Sequence, residues 1–265
     1  MNGIEHISEA FAAAKSESRA ALMPYFTLGY PTADISLAIL EAIAGAGANL
    51  IELGIPFSDP LADGPTIQHS TQVALENGMN TGRCLELTDQ LRRRGVDQPV
   101  MLMGYYNPIL AYGVSRFAAD AAMVGADGFI IPDLPPEEAG EIEAACRENQ
   151  LALVYLLSPA STPERIRLIA GKTSGFLYLV SLTGVTGARK RLPADLRSFV
   201  SKVREDAELP IAVGFGISTP QQAREVGGIA DGVIVGSALI NAVDQAADPC
   251  RGAGDFLAGL RLALQ

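Results

Sequence analysis

A (β/α)8 barrel is the fold class this sequence predicts, and three observations predict it. Eight short apolar runs rich in β-forming residues recur along the chain. Segments with helical spacing separate them in strict alternation. The length of 265 residues, 48% hydrophobic and 19% charged, suits one large domain in the usual range of such barrels.

The first element is MNGIEHISEAFAAAKSESRA, where Glu5, Glu9 and Glu17 stand among apolar residues. That is an amphipathic opening helix, unlike the basic-then-apolar order of a secretory leader. The expected strands follow as LMPYFTL (22–28), NLIELGI (49–55), PVMLMGY (99–105), DGFIIP (127–132), LALVYLL (151–157), GFLYLV (175–180), PIAVGFG (210–216) and DGVIVG (231–236). Between them, stretches such as ISLAILEAIAGAG (35–47), PEEAGEIEAACREN (136–149) and ADLRSFVSKVRED (194–206) return apolar residues every three or four positions.

Strands that are apolar at nearly every position are buried on both faces, and alternation with helices implies parallel pairing through right-handed crossovers. Eight such units close more naturally into a barrel than into an open doubly wound sheet. No linker, low-complexity tract or step in composition divides the chain, so 1–265 reads as a single (β/α)8 barrel domain with an N-terminal extra helix. The longest insertions follow the second strand (56–66) and the sixth (181–193). Both emerge at the C-terminal rim, where barrels place their chemistry.

Composition excludes several classes of function. With 20 Lys plus Arg against 30 Asp plus Glu, the formal charge of −10 repels a polyanion, so nucleic acid is not an expected partner. A small anion remains possible, because backbone N–H groups at helix N-termini hold phosphate without net basic charge. Cys84, Cys146 and Cys250 are odd in number and far apart, which fits a reducing, cytoplasmic compartment. Gly, Pro or charge interrupts every apolar stretch before the roughly 18 residues a membrane span needs. No membrane is expected.

Glu52 interrupts an apolar strand, which aims its carboxyl into the barrel mouth. Desolvation there raises its pKa, the condition for a group that both donates and accepts a proton near neutrality; the competing reading is a structural Glu paired to a buried base, and few basic residues lie near the strands. Asp59 and Asp63 lie in PFSDPLADGP, where Pro56, Pro60, Pro65 and Gly64 restrict the loop. Either is a second carboxylate within reach or an ordinary turn or cap residue. Tyr178 presents a hydroxyl at the rim or simply packs the core.

Glycine-bearing segments follow the last three strands: Gly184 to Gly187, Gly214-Phe-Gly216-Ile-Ser218-Thr-Pro, and Gly236-Ser237-Ala. Their placement suggests an anion site at the rim, although Ser218-Thr219-Pro220 and Gly236-Ser237 also read as plain helix starts. Gly45-Ala-Gly47 is no dinucleotide fingerprint, since it follows a helix and lacks a third glycine. His6 and His69 keep no ligand spacing, so no metal is expected and each reads as a surface or capping residue. No GxSxG elbow accompanies them.

The run Glu52-Leu-Gly-Ile-Pro-Phe-Ser-Asp-Pro-Leu-Ala-Asp-Gly-Pro-Thr-Ile-Gln68 resembles the signature of the tryptophan synthase alpha chain family. Similarity continues through Pro24 to Pro31, Tyr105 to Ile109, Pro132 to Pro135, Tyr178 to Gly187, Gly214 to Ile217 and Gly236-Ser237, in family order over essentially the whole chain. The resemblance implies retro-aldol cleavage of indole-3-glycerol phosphate to indole and glyceraldehyde 3-phosphate, without a cofactor. By the same resemblance Glu52 is the proton shuttle, Asp63 its partner at the indole N–H, and Tyr178 a third catalytic-site residue. Tyr25, Met103, Tyr105, Ile130, Pro132 and Thr186 match substrate-binding positions. Tyr25 departs from the Phe of many relatives, and its added hydroxyl needs a partner. Gly187, Gly214, Gly216, Gly236 and Ser237 match the phosphate site.

Members of that family pair with a pyridoxal-phosphate beta chain in an αββα assembly, docking through Asp59 and Pro60 and through the Tyr105–Ile109 segment, here Asn107 and Pro108. The resemblance therefore implies a beta-chain partner, with pyridoxal phosphate on that partner only. Rival readings are a stand-alone lyase that releases free indole and an inactive barrel kept as a regulatory subunit. Another phosphosugar barrel explains the glycines but not Glu52 with Asp63.

Overall fold

The computed structural model describes residues 2–180, 192, 195–214 and 216–265. Among these residues, nine parallel strands form the expected, nearly closed barrel: β1 (Ala21–Thr27), β2 (Ile51–Gly54), β3 (Val100–Met103), β4 (Gly128–Ile130), β5 (Ala152–Val154), β6 (Leu156–Leu157), β7 (Leu177–Val180), β8 (Ile211–Gly214) and β9 (Gly232–Val235). β1 lies between β2 and β9, pairing Tyr25 with Glu52 on one side and Ala21 with Gly232 on the other. First and last strands thus meet.

The ninth strand comes from the run 151–157, expected as one strand and found as two. β5 pairs with β4 and β6 with β7, the exchange of partners falling at Tyr155, whose carbonyl accepts from the Tyr178 N–H at 3.4 Å. Strands in a barrel tilt and stagger, so one strand can engage its two neighbours along different parts of its length. Val154 and Leu156 both face the interior, while Tyr155 between them turns its hydroxyl to Glu143 at 2.7 Å. The alternation continues across the break.

The interior is a packed core of Met23, Leu50, Met101, Ile130, Val154 and Phe176. Its floor is the N-terminal helix Gly3–Ser16, started by a reciprocal cap in which Asn2 Oδ1 accepts from the Glu5 N–H at 2.9 Å and Glu5 accepts from the Asn2 N–H at 3.1 Å. That helix buries Ile7, Phe11 and Ala14, with the Phe11 and Phe176 rings 5.7 Å apart. Gly3 is required at its start, because a Cβ there would lie 2.1 Å from the Asp127 carbonyl oxygen.

His6 is more than the surface residue the sequence suggested. Its Nδ1–H donates to Asp127 Oδ1 at 2.8 Å, while Asp127 Oδ2 accepts from Arg92 Nη2 and from the Val100 N–H, each at 2.7 Å. One carboxylate therefore fastens the floor helix, the helix Thr81–Arg93 and the start of β3 together. His69 is exposed and meets the edge of the Tyr30 ring. No helix among the described residues is long and apolar enough to cross a membrane.

Candidate active site

Two carboxyls singled out in the sequence, Glu52 and Asp63, reach their places by different routes. Glu52 is fully buried on β2, in register with Tyr25 of β1 and Met101 of β3, and among the described residues neither of its carboxyl oxygens has a hydrogen-bond partner. A carboxylate so placed would be desolvated without compensation, so burial pushes its pKa up to about 8 and the group is held neutral at pH 7. Leaving such a group unsatisfied costs on the order of 1–3 kcal/mol. A core position chosen for stability alone would not carry it.

Asp63 arrives by a different route. The turn Pro60–Asp63 closes with the Asp63 N–H donating to the Pro60 carbonyl at 3.0 Å, and the helix Pro65–Glu76 begins immediately afterwards with Gly64 as its N-cap. Pro at the first helical position suits that start. The hydroxyl of Tyr105 fixes this loop: it accepts from the Ala62 N–H at 2.9 Å and donates to Asp63 Oδ2 at 3.1 Å. Burial raises the Asp63 pKa to about 6, and the bond from Tyr105 opposes part of that rise. At pH 7 the two carboxyls are therefore in opposite states, one able to give a proton and the other charged. Separating two carboxyls in this way assigns acid and base roles.

Tyr25, Met103, Tyr105 and Pro132 line one cavity with Asp63, joined by Ile55, Phe57, Gly104 and Thr71, which the sequence reading passed over. Phe57 stood in the restricted loop next to Pro56, and its ring now lies tilted 5.4 Å from that of Tyr105. Gly104 directly follows β3, and a Cβ there would lie 3.0 Å from Ile55 Cβ. An aromatic loop residue and a strand-end glycine were the available signals. Ile130 is fully buried on β4, in register with the cavity residue Met103, and packs with Met101, Val154 and Tyr178.

The hydroxyl of Tyr25 has found its partner in Thr27 Oγ1 at 3.4 Å. Burial, then the nearby Asp63 charge, raises its pKa above the ordinary tyrosine range, so the phenol stays protonated. Tyr178 is almost fully buried on β7, and burial followed by the Glu52 charge raises it likewise. Its hydroxyl hangs over Gly214, where a Cβ would approach it to 2.9 Å. Gly214 thus makes room for Tyr178.

Gly216 takes φ +66, a conformation that favours glycine. Gly236 caps the helix Ser237–Gln245, whose first N–H groups have no partner within the helix. Thr219 and Pro220 behave as the helix start that was the plainer reading, with Thr219 Oγ1 accepting from the Gln222 N–H at 3.2 Å. Thr186 and Gly187 lie outside the described residues. On the rim, Asp59 and Asn107 are exposed and Pro60 and Pro108 partly so, and beside them Leu61 is 88% and Leu110 53% exposed.

Comparison with known proteins follows the same lines. The family model described as "Tryptophan synthase alpha chain" matches residues 11–256. A protein of that name from Roseiflexus sp. (strain RS-1) is 51% identical over 260 residues, covering 97% of this chain and 100% of the relative. The solved structure of Mycobacterium tuberculosis tryptophan synthase superposes with a TM-score of 0.91 at 36% identity, covering 97% of each chain. That of tryptophan synthase subunit alpha from Legionella pneumophila str. Paris gives 0.92 at 38% identity, covering 100% of this chain and 98% of the other.

Proposed function

The chain belongs to the tryptophan synthase alpha chain family, a family of carbon–carbon lyases of tryptophan biosynthesis, and on that premise we propose that Glu52 and Asp63 are its catalytic pair. The reaction is retro-aldol cleavage of indole-3-glycerol phosphate to indole and glyceraldehyde 3-phosphate. The observation that carries the assignment is the unequal environment of the two carboxyls: Glu52 is buried with no hydrogen bond from the described residues and raised to about 8, while Asp63 accepts from Tyr105 and is raised only to about 6.

Each residue then has a chemical task. Neutral Glu52 gives its proton to indole C3, which prepares the bond from C3 to the glycerol chain for cleavage. Positive charge develops on the ring nitrogen, and the Asp63 carboxylate, held by Tyr105, accepts the N–H and stabilises that charge. As the C3–carbon bond breaks and its electron pair returns to the ring, the side-chain hydroxyl becomes the aldehyde carbonyl, and its proton goes to the Glu52 carboxylate. Glu52 is thereby restored and the protons balance. Tyr178 stands by as a neutral hydroxyl near Glu52; Tyr25, Met103, Tyr105 and Pro132 line the cavity of Asp63, and together with Ile130 and Thr186 they are assigned to the indole side of the site.

The phosphate is assigned to the N–H groups of Gly187, Gly214, Gly216, Gly236 and Ser237. Two features support it: a helix N-terminus at Ser237 and the positive φ of Gly216. The chemistry requires no cofactor on this chain. The partner is a beta chain, and its docking surface is placed at Asp59, Pro60, Asn107 and Pro108, where Leu61 and Leu110 lie exposed. We assign the assembly as αββα, its compartment as the cytoplasm and 1–265 as one domain.

The test follows indole release from indole-3-glycerol phosphate by the purified chain, with and without a tryptophan synthase beta chain, beside Glu52→Gln. Slow release that the beta chain accelerates and the variant abolishes is expected. Fast release indifferent to the beta chain would make it a free-standing lyase, and no release in either condition would overturn the catalytic assignment.

A further inference from the structure

We propose that Tyr25 is a positioning residue, coupling the wall of the active-site cavity to the helix behind Asp63 through a directed chain of hydroxyls. The inference rests on the cleavage reading above. Its starting point is how tightly the ring is seated. A Cβ at Gly54 would lie 2.1 Å from the Tyr25 hydroxyl oxygen, and one at Gly236 would lie 3.2 Å from its Cδ1. Gly54 at the end of β2 and Gly236 just past β9 thus leave room for the ring on both sides.

The direction of the chain follows from its far terminus. Ser70 Oγ donates to the Ile67 carbonyl at 2.9 Å, so its proton is committed, and it accepts from Thr27 Oγ1 at 2.7 Å. Thr27 Oγ1 in turn accepts from the Tyr25 hydroxyl at 3.4 Å. Thr27 and Ser70 are fully buried, Tyr25 and Ile67 nearly so, and in such surroundings hydroxyl chains are stronger and breaking one is costlier than in water. Ile67 belongs to the first turn of the helix Pro65–Glu76, whose cap Gly64 directly follows Asp63. The chain therefore runs from the cavity wall to the helical turn that directly follows Asp63, whereas Tyr105 holds Ala62 and the Asp63 carboxylate itself.

The experiment measures kcat and KM for indole release by the full chain, by Tyr25→Phe, by Ser70→Ala and by the double variant. Ser70 does not border the cavity, so its loss reports on the chain and not on contact with substrate. Each single change is expected to lower kcat about 3- to 10-fold with KM within about twofold, and the double variant should be no worse than the weaker single. Thr27→Val replaces Tyr25→Phe if the latter fails to melt cooperatively. Unchanged kcat, a change confined to KM, or effects that multiply in the double variant would overturn the proposal. A native chain that releases no indole would overturn the cleavage reading and this one with it, whereas native turnover matched by the variants overturns the coupling alone.

Discussion

The Tyr105 hydroxyl donates to an Asp63 carboxylate oxygen at 3.1 Å while accepting the Ala62 N–H at 2.9 Å, so one phenol both shapes the loop and steadies its charge. Tyr105→Phe removes a bond that favours the ionised carboxylate. The acid limb of kcat/KM is expected to move to higher pH, with a loss of about 10-fold at pH 7. An acid limb that stays in place would show that Tyr105 does not control Asp63.

The native profile should be bell-shaped. Activity in kcat/KM rises as Asp63 ionises near pH 6 and falls as Glu52 loses its proton near pH 8, because the reaction needs the first charged and the second neutral. Steady-state rates from pH 5 to 9 test this. A profile without a decline above pH 8 would remove Glu52 as the proton donor.

Glu52→Gln should lose activity and gain stability. The loss of the shuttle is expected to cost about 10³-fold in kcat. The stability gain follows from linkage: the folded chain holds the Glu52 proton up to about pH 8, whereas the unfolded chain releases it near 4.5. Native stability therefore declines as pH rises through that window, and glutamine removes the decline. Urea unfolding should show the variant more stable by about 4 kcal/mol at pH 8, the size that linkage gives for this shift, and equal to the native chain near pH 4. Equal stability at both pH values would mean that Glu52 is not buried as placed.

Asp63→Asn should reduce kcat/KM by about 10²-fold or more, since an amide cannot balance charge developing on the ring nitrogen. The amide oxygen can still accept the Tyr105 hydroxyl, so the melting temperature should change little. Activity near the native level would return Asp63 to the role of a turn residue.

At the barrel floor the expectation is reversed. Asp127→Ala strands His6, Arg92 and the Val100 N–H together, a loss of about 3 kcal/mol or more on unfolding. Cleavage per folded molecule should remain, because this cluster lies at the N-terminal end of the strands. A selective loss of activity in a variant with native stability would contradict that separation.

Part of this organisation was legible in the residues alone. Near-continuous apolar runs alternating with amphipathic helices specify parallel strands buried on both faces, and a lone carboxyl within such a run is forced inward with its pKa raised. Glu52 was therefore readable from its immediate neighbours, and the loop of Asp63 from its prolines and glycine. Local pattern carries that information because strand and helix periodicity decide which way each side chain points.

Other features depended on register and reach across the barrel. Nothing near Asp63 names Tyr105, 42 residues away, as its partner, nor does the sequence around Tyr25 show that Gly54 is bare to receive its hydroxyl. Ile130 comes level with the cavity residue Met103 only through the pairing of β3 with β4, and Tyr155 changes strand partners within one apolar run. The sequence by itself determined the kind of barrel and the residue on which its acid chemistry turns. Only the tertiary structure decided which hydroxyl meets which carboxyl, because the stagger of tilted strands sets those distances and no local pattern encodes it.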